Sequence, residues 1–272
     1  MQDATPITLG QEFGGYAEQI RKSIRRLEGC YPHLRELAIG GTAVGTGLNT
    51  HPRFASLVCR DLNRTFREKF YEARDHFEAQ SAKDTCVEVS GQLKTLAVSL
   101  IKIANDIRWL GSGPRSGLGE IQLPAVQPGS SIMPGKINPV MAESVIQVAT
   151  EVIGSDTAVT FSGLSGNFEL NVMMPLIAYH LLESIRLLAN VTAVFRTQCI
   201  DGIKADRKNC EAMIEKNLML ATPLAPVLGY DRAAQIAKEA YQKGKTIREI
   251  VREKKLLPEK RLSRILDVKK MV

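Results

Sequence analysis

Two serines, a lysine and an asparagine lie close together in GSSIMPGKINP, residues 129–139: Ser130, Ser131, Lys136 and Asn138. Hydroxyls, an ammonium and an amide together suit a small carboxylate. The stretch is punctuated by Gly129, Pro134, Gly135 and Pro139, which exclude a regular helix or central strand and predict a shaped loop. Asn138–Pro139 then opens the run VMAESVIQVATEVIG. Asparagine is a favoured N-cap and proline a favoured first helical residue, so the loop is expected to feed a helix N-terminus. Free backbone N–H groups and the helix dipole favour an anion there, and Lys136 adds a full positive charge. The residues alone leave a second reading open: an N-capped helix after an ordinary loop, with Lys136 in solvent. Glu143, inside the new helix, reads by itself as a common first-turn glutamate.

The elements that must hold this loop are helical. Phe13, Tyr16, Ile20, Ile24 and Leu27 recur at three- and four-residue steps and predict a helix over 9–29. Phe54, Leu57, Val58, Leu62, Phe66 and Phe70 extend the pattern over 54–77. Longer segments near 84–110, 139–161 and 171–199 have few charges and apolar residues on more than one face. Such helices must be covered on several sides. They predict a bundle that also packs against sister subunits, a monomer with a thick core being the alternative. Shorter helices are expected over 206–220, 231–243 and 246–254. The glycine-rich stretches 40–49 and 111–120 lack the Walker ending and the GxGxxG spacing, and read as tight turns. The fold class is all-α: a long-helix bundle over 1–222, then a small basic helical domain over 223–272, divided where PLAPVLGYD coincides with a shift in charge.

Composition bounds the function. The 272 residues are 44% hydrophobic and 24% charged, as in ordinary globular chains. QDATPITLG after Met1 has neither a basic start nor an apolar core, so no secretory leader is expected. The apolar stretch LNVMMPLIAYHLL (170–182) is too short to span a bilayer and is placed in a protein core. Cys30, Cys59, Cys86, Cys199 and Cys210 are scattered, without redox or zinc spacing. They read as reduced, buried thiols of a cytoplasmic protein. Residues 1–230 are balanced in charge, whereas 231–272 carry 13 Lys+Arg against 6 Asp+Glu. Tyr241 is the only aromatic residue in that tail, which argues for a solvated basic face and against a nucleic-acid partner.

GSSIMPGKINP resembles the GSxxMPxKxNP signature of the aspartase/fumarase superfamily. QDATPITLGQEFGGY, GGTAVGTGLNTHP, EVSGQLKTLAVSLIKIANDIRWLGSGPRSGLGE and GNFELNV are similar, in that order, to segments of class II fumarate hydratases. FELN and GYDRAAQIAKEA favour this group over aspartate ammonia-lyase. The resemblance implies a homotetramer with active sites shared between subunits. It implies reversible hydration of fumarate to malate through an aci-carboxylate intermediate, without a metal or organic cofactor and without a membrane. Carried over, Ser130 corresponds to the catalytic base, Ser131 to a substrate-binding position, and Lys136 and Asn138 to the carboxylate clamp. Glu143 corresponds to the partner of an acid/base histidine. That histidine stands in a Thr-His pair before QDATP in the family; His33, His51, His76 and His180 lie in other segments. The chain is therefore expected to match the C-terminal two-thirds of a fumarase and to be catalytically incomplete alone. A non-catalytic oligomeric scaffold is the alternative.

Overall fold

The computed structural model describes residues 2–272. Its helices are, in chain order, α1 Leu9–Gly29, α2 Tyr31–Leu34, α3 Phe54–Phe66, α4 His76–Ser81, α5 Asp84–Leu110, α6 Val140–Gly163, α7 Met174–Gln198, α8 Arg207–Lys216, α9 Ala225–Leu228, α10 Tyr230–Lys243, α11 Ile247–Glu253 and α12 Glu259–Ile265. Strands are two-residue pairs: β1 Glu36–Leu37 with β2 Tyr71–Glu72, β3 Ile121–Gln122 with β6 Lys204–Ala205, and β4 Gly166–Asn167 with β5 Leu170–Asn171. The fold is all-α, and the helices expected over 9–29 and 84–110 have those bounds. The chain forms two compact units, one of residues 17–109 and 123–202, the other of 1–16, 110–122 and 203–272.

The larger unit is organised by α5, α6 and α7. On α6, buried Ala142, Val145, Ala149, Val152, Asp156 and Val159 follow a three-four spacing, the signature of a helix seam. α5 carries a buried series of the same spacing, Ser90, Leu93, Ala97, Leu100, Ala104 and Ile107, while α6 packs most closely along α7. α5 and α6 run antiparallel: Ser90 and Lys94 meet Asp156, while Arg108 meets Glu143. α6 turns back into α7 through the β4–β5 hairpin. Buried Asn171 holds that turn, its Nδ2 donating to the Ser162 carbonyl at 3.0 Å and its Oδ1 accepting from Met173 N at 2.8 Å.

Several expectations from sequence are corrected here. The helical pattern over 54–77 breaks at Arg67, which adopts φ +56°. Asn63 closes the ensuing loop, donating from Nδ2 to the Phe70 carbonyl and accepting from Phe70 N. Backbone groups that would have continued the helix are thereby satisfied elsewhere. The helix expected over 206–220 ends at Lys216, and a 3-10 segment, Leu218–Leu224, follows. Residues 170–182 do not lie in a core of the single chain. Ile177 is buried, but Tyr179 and Leu182 are 64% and 66% exposed.

The second unit has its own apolar core, in which Leu220, Leu224, Ile236, Ile247, Ile250 and Leu262 are among the most buried residues. Residues 223–272 fall within it, together with 203–222. Gly244, at φ +60°, ends α10, and Thr246 with Glu249 forms a reciprocal capping box that starts α11. The basic tail is laced with surface ion pairs, including Arg248–Glu215, Arg252–Glu259 and Lys254–Glu239.

Candidate active site

The 129–139 loop is irregular and closes on itself. Gly129 N donates to the Lys136 carbonyl at 2.8 Å, and Asn138 Nδ2 donates to the Gly129 carbonyl at 2.9 Å. A side chain at 129 has no room: its Cβ would meet Asn138 N at 2.6 Å and Lys136 O at 2.8 Å. Gly135, at φ +77°, supplies the left-handed turn before Lys136. Ser130 Oγ accepts hydrogen bonds from Ile132 N at 3.1 Å and Met133 N at 3.0 Å. Two backbone donors aimed at one hydroxyl oxygen favour negative charge on it. Ser131 and Lys136 are exposed, and among the described residues no carboxylate pairs with the Lys136 ammonium.

The helix that follows starts one residue later than expected. Val140 is its first residue and Pro139 takes the capping position, without a side-chain cap. Asn138 does not cap α6, because its amide is committed to Gly129. Thus Gly129, Ser130, Lys136 and Asn138 are tied into one loop at the head of α6, with Ser131 exposed on it. Glu143 lies in the first turn of α6 and makes no hydrogen bond or ion pair with them. Its charged neighbour is Arg108 of α5, Nη2 to Oε1 3.9 Å. Sequence reasoning missed Arg108; a lone arginine near the end of an apolar helix was the available signal.

The four histidines are engaged elsewhere. His33 Nδ1 lies 2.6 Å from Glu88, and His51 Nδ1 accepts from Arg53 N. His76 Nε2 lies 3.0 Å from the Ile39 carbonyl, and His180 Nδ1 lies 3.1 Å from Ser155 Oγ. No group of three or more His, Cys, Asp or Glu among the described residues is placed to hold a metal ion, and none of the described helices is long and apolar enough to cross a membrane. The second unit carries a groove of about 1100 Å³ lined by residues 3–9, the 115–120 turn and α8. Burial, and then the charge of Glu12, raise the Glu120 carboxyl in that groove above its ordinary range.

Long buried helices, with an irregular loop at the head of α6, are the features to set against known proteins. A lyase family model matches residues 1–154 and a fumarase C C-terminus model matches residues 220–272. The chain belongs to the lyase family. It is 53% identical to "Fumarate hydratase class II" of Corynebacterium glutamicum, over 98% of this chain and 58% of that protein. To the protein of the same name from Mycobacterium tuberculosis it is 51% identical, over 98% and 58%. Among solved structures, a recombinant class II fumarase from Schistosoma mansoni superposes with TM-score 0.96 at 35% identity, covering 100% of this chain and 60% of that one. A fumarate lyase:delta crystallin from Brucella melitensis gives 0.94 at 47%, covering 99% and 58%. The chain thus spans somewhat over half the length of the relatives it matches.

Proposed function

We propose that this chain carries part of the active site of a class II fumarate hydratase, which adds water reversibly across fumarate to give malate. The pair of backbone donors on Ser130 Oγ is the observation that carries the reading. Abstracting a proton beside a carboxylate needs a strong base, and a serine is one only as its alkoxide. N–H dipoles directed at the oxygen stabilise that form without rearranging during the reaction. The substrate's carboxylate takes its charge partner from Lys136, with Ser131 and Asn138 as hydrogen-bonding groups. As the proton leaves, negative charge builds on this carboxylate, and the same cation stabilises the aci-carboxylate. Glu143 serves a proton-handling partner at the hydroxyl end.

Naming of the relatives supports fumarate and malate rather than aspartate as the reacting pair. The assembly we propose is a homotetramer in the cytoplasm, with sites shared between subunits. Supporting it, Phe161 of α6, Phe168 of the hairpin, and Tyr179 and Leu182 of α7 are large apolar residues left exposed on the chain by itself, as expected of helices that pack on another copy. The test is hydration of fumarate, followed by loss of its ultraviolet absorbance, by the chain and by the chain extended to the length of its relatives. Turnover in neither form, or ammonia release from aspartate without malate turnover, would overturn the reading.

A further inference from the structure

Arg108 ends the apolar face of α5 one residue beyond Ile107, which is fully buried. Its guanidinium is oriented from its own helix, Nη1 donating to Asn105 Oδ1 at 3.0 Å. The neighbouring Asp106 is taken by Lys102 at 2.5 Å, so the acid facing Arg108 across the seam is Glu143, at 3.9 Å. That separation is a charge contact rather than a hydrogen bond. Neither Glu143 oxygen receives a hydrogen bond from a described residue, which leaves both free for a proton-carrying partner.

We infer that Arg108 is a positioning residue for Glu143 in the hydration reaction, an inference that rests on the reading of Glu143 proposed above. A guanidinium is planar and permanently charged, so it draws the ionised Glu143 carboxylate toward α5. Its reach is defined because the α5–α6 register is pinned further down the seam by Asp156 with Ser90 and Lys94. The arrangement limits the rotamers of Glu143 without occupying its lone pairs. Misplacing a catalytic group by about an ångström costs on the order of a hundredfold in rate, so a group that only orients is still visible in kinetics.

The experiment compares Arg108→Met, Arg108→Lys, Glu143→Gln and the Arg108→Met/Glu143→Gln double variant, in whichever form turns over fumarate. Arg108→Met should lower kcat about tenfold to a hundredfold with KM changed less than about twofold. Arg108→Lys should recover most of the loss, and Arg108→Met should cost nothing further once Glu143 is glutamine. Unchanged kcat in Arg108→Met, a rise in KM alone, or fully multiplicative losses in the double variant would each overturn the inference. A lowered melting temperature with no rescue by lysine would make the role merely structural and overturn it as well. Full turnover in Glu143→Gln would instead overturn the reading of Glu143 itself.

Discussion

Asp156 of α6 occupies a seam position otherwise filled by alanine and valine, and both of its oxygens are bonded to α5. Ser90 Oγ donates at 2.8 Å and Lys94 Nζ at 2.5 Å. The Asp156 side chain is 6% exposed, whereas that of Lys94 is 45% exposed, so the lysine reaches inward from the surface. A polar layer in an apolar seam sets register because sliding either helix strands the charge. Lys94→Met should therefore destabilise the chain by about 1–3 kcal/mol in urea unfolding, the cost of leaving a buried acceptor under-satisfied. The triple change Ser90→Ala, Lys94→Met and Asp156→Leu should restore stability to the starting value or above. A triple variant no more stable than Lys94→Met would mean that the layer contributes stability outright.

Cys30, Cys59 and Cys199 are buried as expected from sequence, but Cys86 and Cys210 are only half-buried, and together these thiols predict a weakness at high pH. Burial pushes the Cys199 thiol up to about 11 and raises those of Cys30, Cys59, Cys86 and Cys210 in the same direction. Between the ordinary thiol value and the folded one, the unfolded chain releases a proton that the folded chain keeps. Stability therefore falls as pH rises through that window. The part due to Cys199 is about 2 kcal/mol by pH 11. Urea midpoints measured against pH should slope downward there, and Cys199→Ala should flatten the slope. An unchanged slope would place the alkaline loss elsewhere.

How far the sequence carried the fold depended on whether the deciding contacts were local. The three-four spacing along 9–29 and 84–110 is local, and both helices have the expected bounds. The stop after Phe66 depends on Asn63 reaching Phe70, and nothing in the spacing of apolar residues marks it. Residues 170–182 announced a face that must be covered, but composition cannot say whether the same chain or another copy covers it. In the candidate site, glycine and proline made the loop legible, and hydroxyl, amine and amide types pointed to a carboxylate. The turn that directs two N–H groups at Ser130 was not legible. Arg108 facing Glu143 was hidden for another reason: it follows from the register of α5 on α6, which Asp156 sets at a distance.

Glu120 offers a test in the second unit. Its carboxyl is raised, by burial first and then by the charge of Glu12. A carboxyl raised in the folded state is ionised more easily after unfolding, so its contribution to stability falls as pH climbs from the ordinary carboxylate range through the folded value. At neutral pH the cost is fully present. Glu120→Gln should therefore raise the melting temperature at pH 7, by about 1–3 °C for a fraction of a kcal/mol, and give no gain near pH 3. A lower melting temperature at neutral pH would show that the carboxylate makes a stabilising contact.

The final prediction concerns the loop. Ser130→Ala removes the oxygen on which Ile132 N and Met133 N converge, while Gly129 and Asn138 keep the loop closed through their own bonds. Folding and assembly should be unaffected, and turnover of malate in the active form should fall by on the order of a hundredfold to ten-thousandfold, as for loss of a proton-transfer group. Lys136→Met should be at least as severe if, as proposed, its ammonium meets the substrate carboxylate in the ground state and the greater charge of the aci-carboxylate afterwards. The 272-residue chain by itself should show no measurable hydration, since its histidines are engaged away from Glu143. Robust turnover by the purified chain would require another proton donor within it. Near-normal activity in Ser130→Ala would mean that the base is a different residue, and that the two N–H groups serve only to shape the turn.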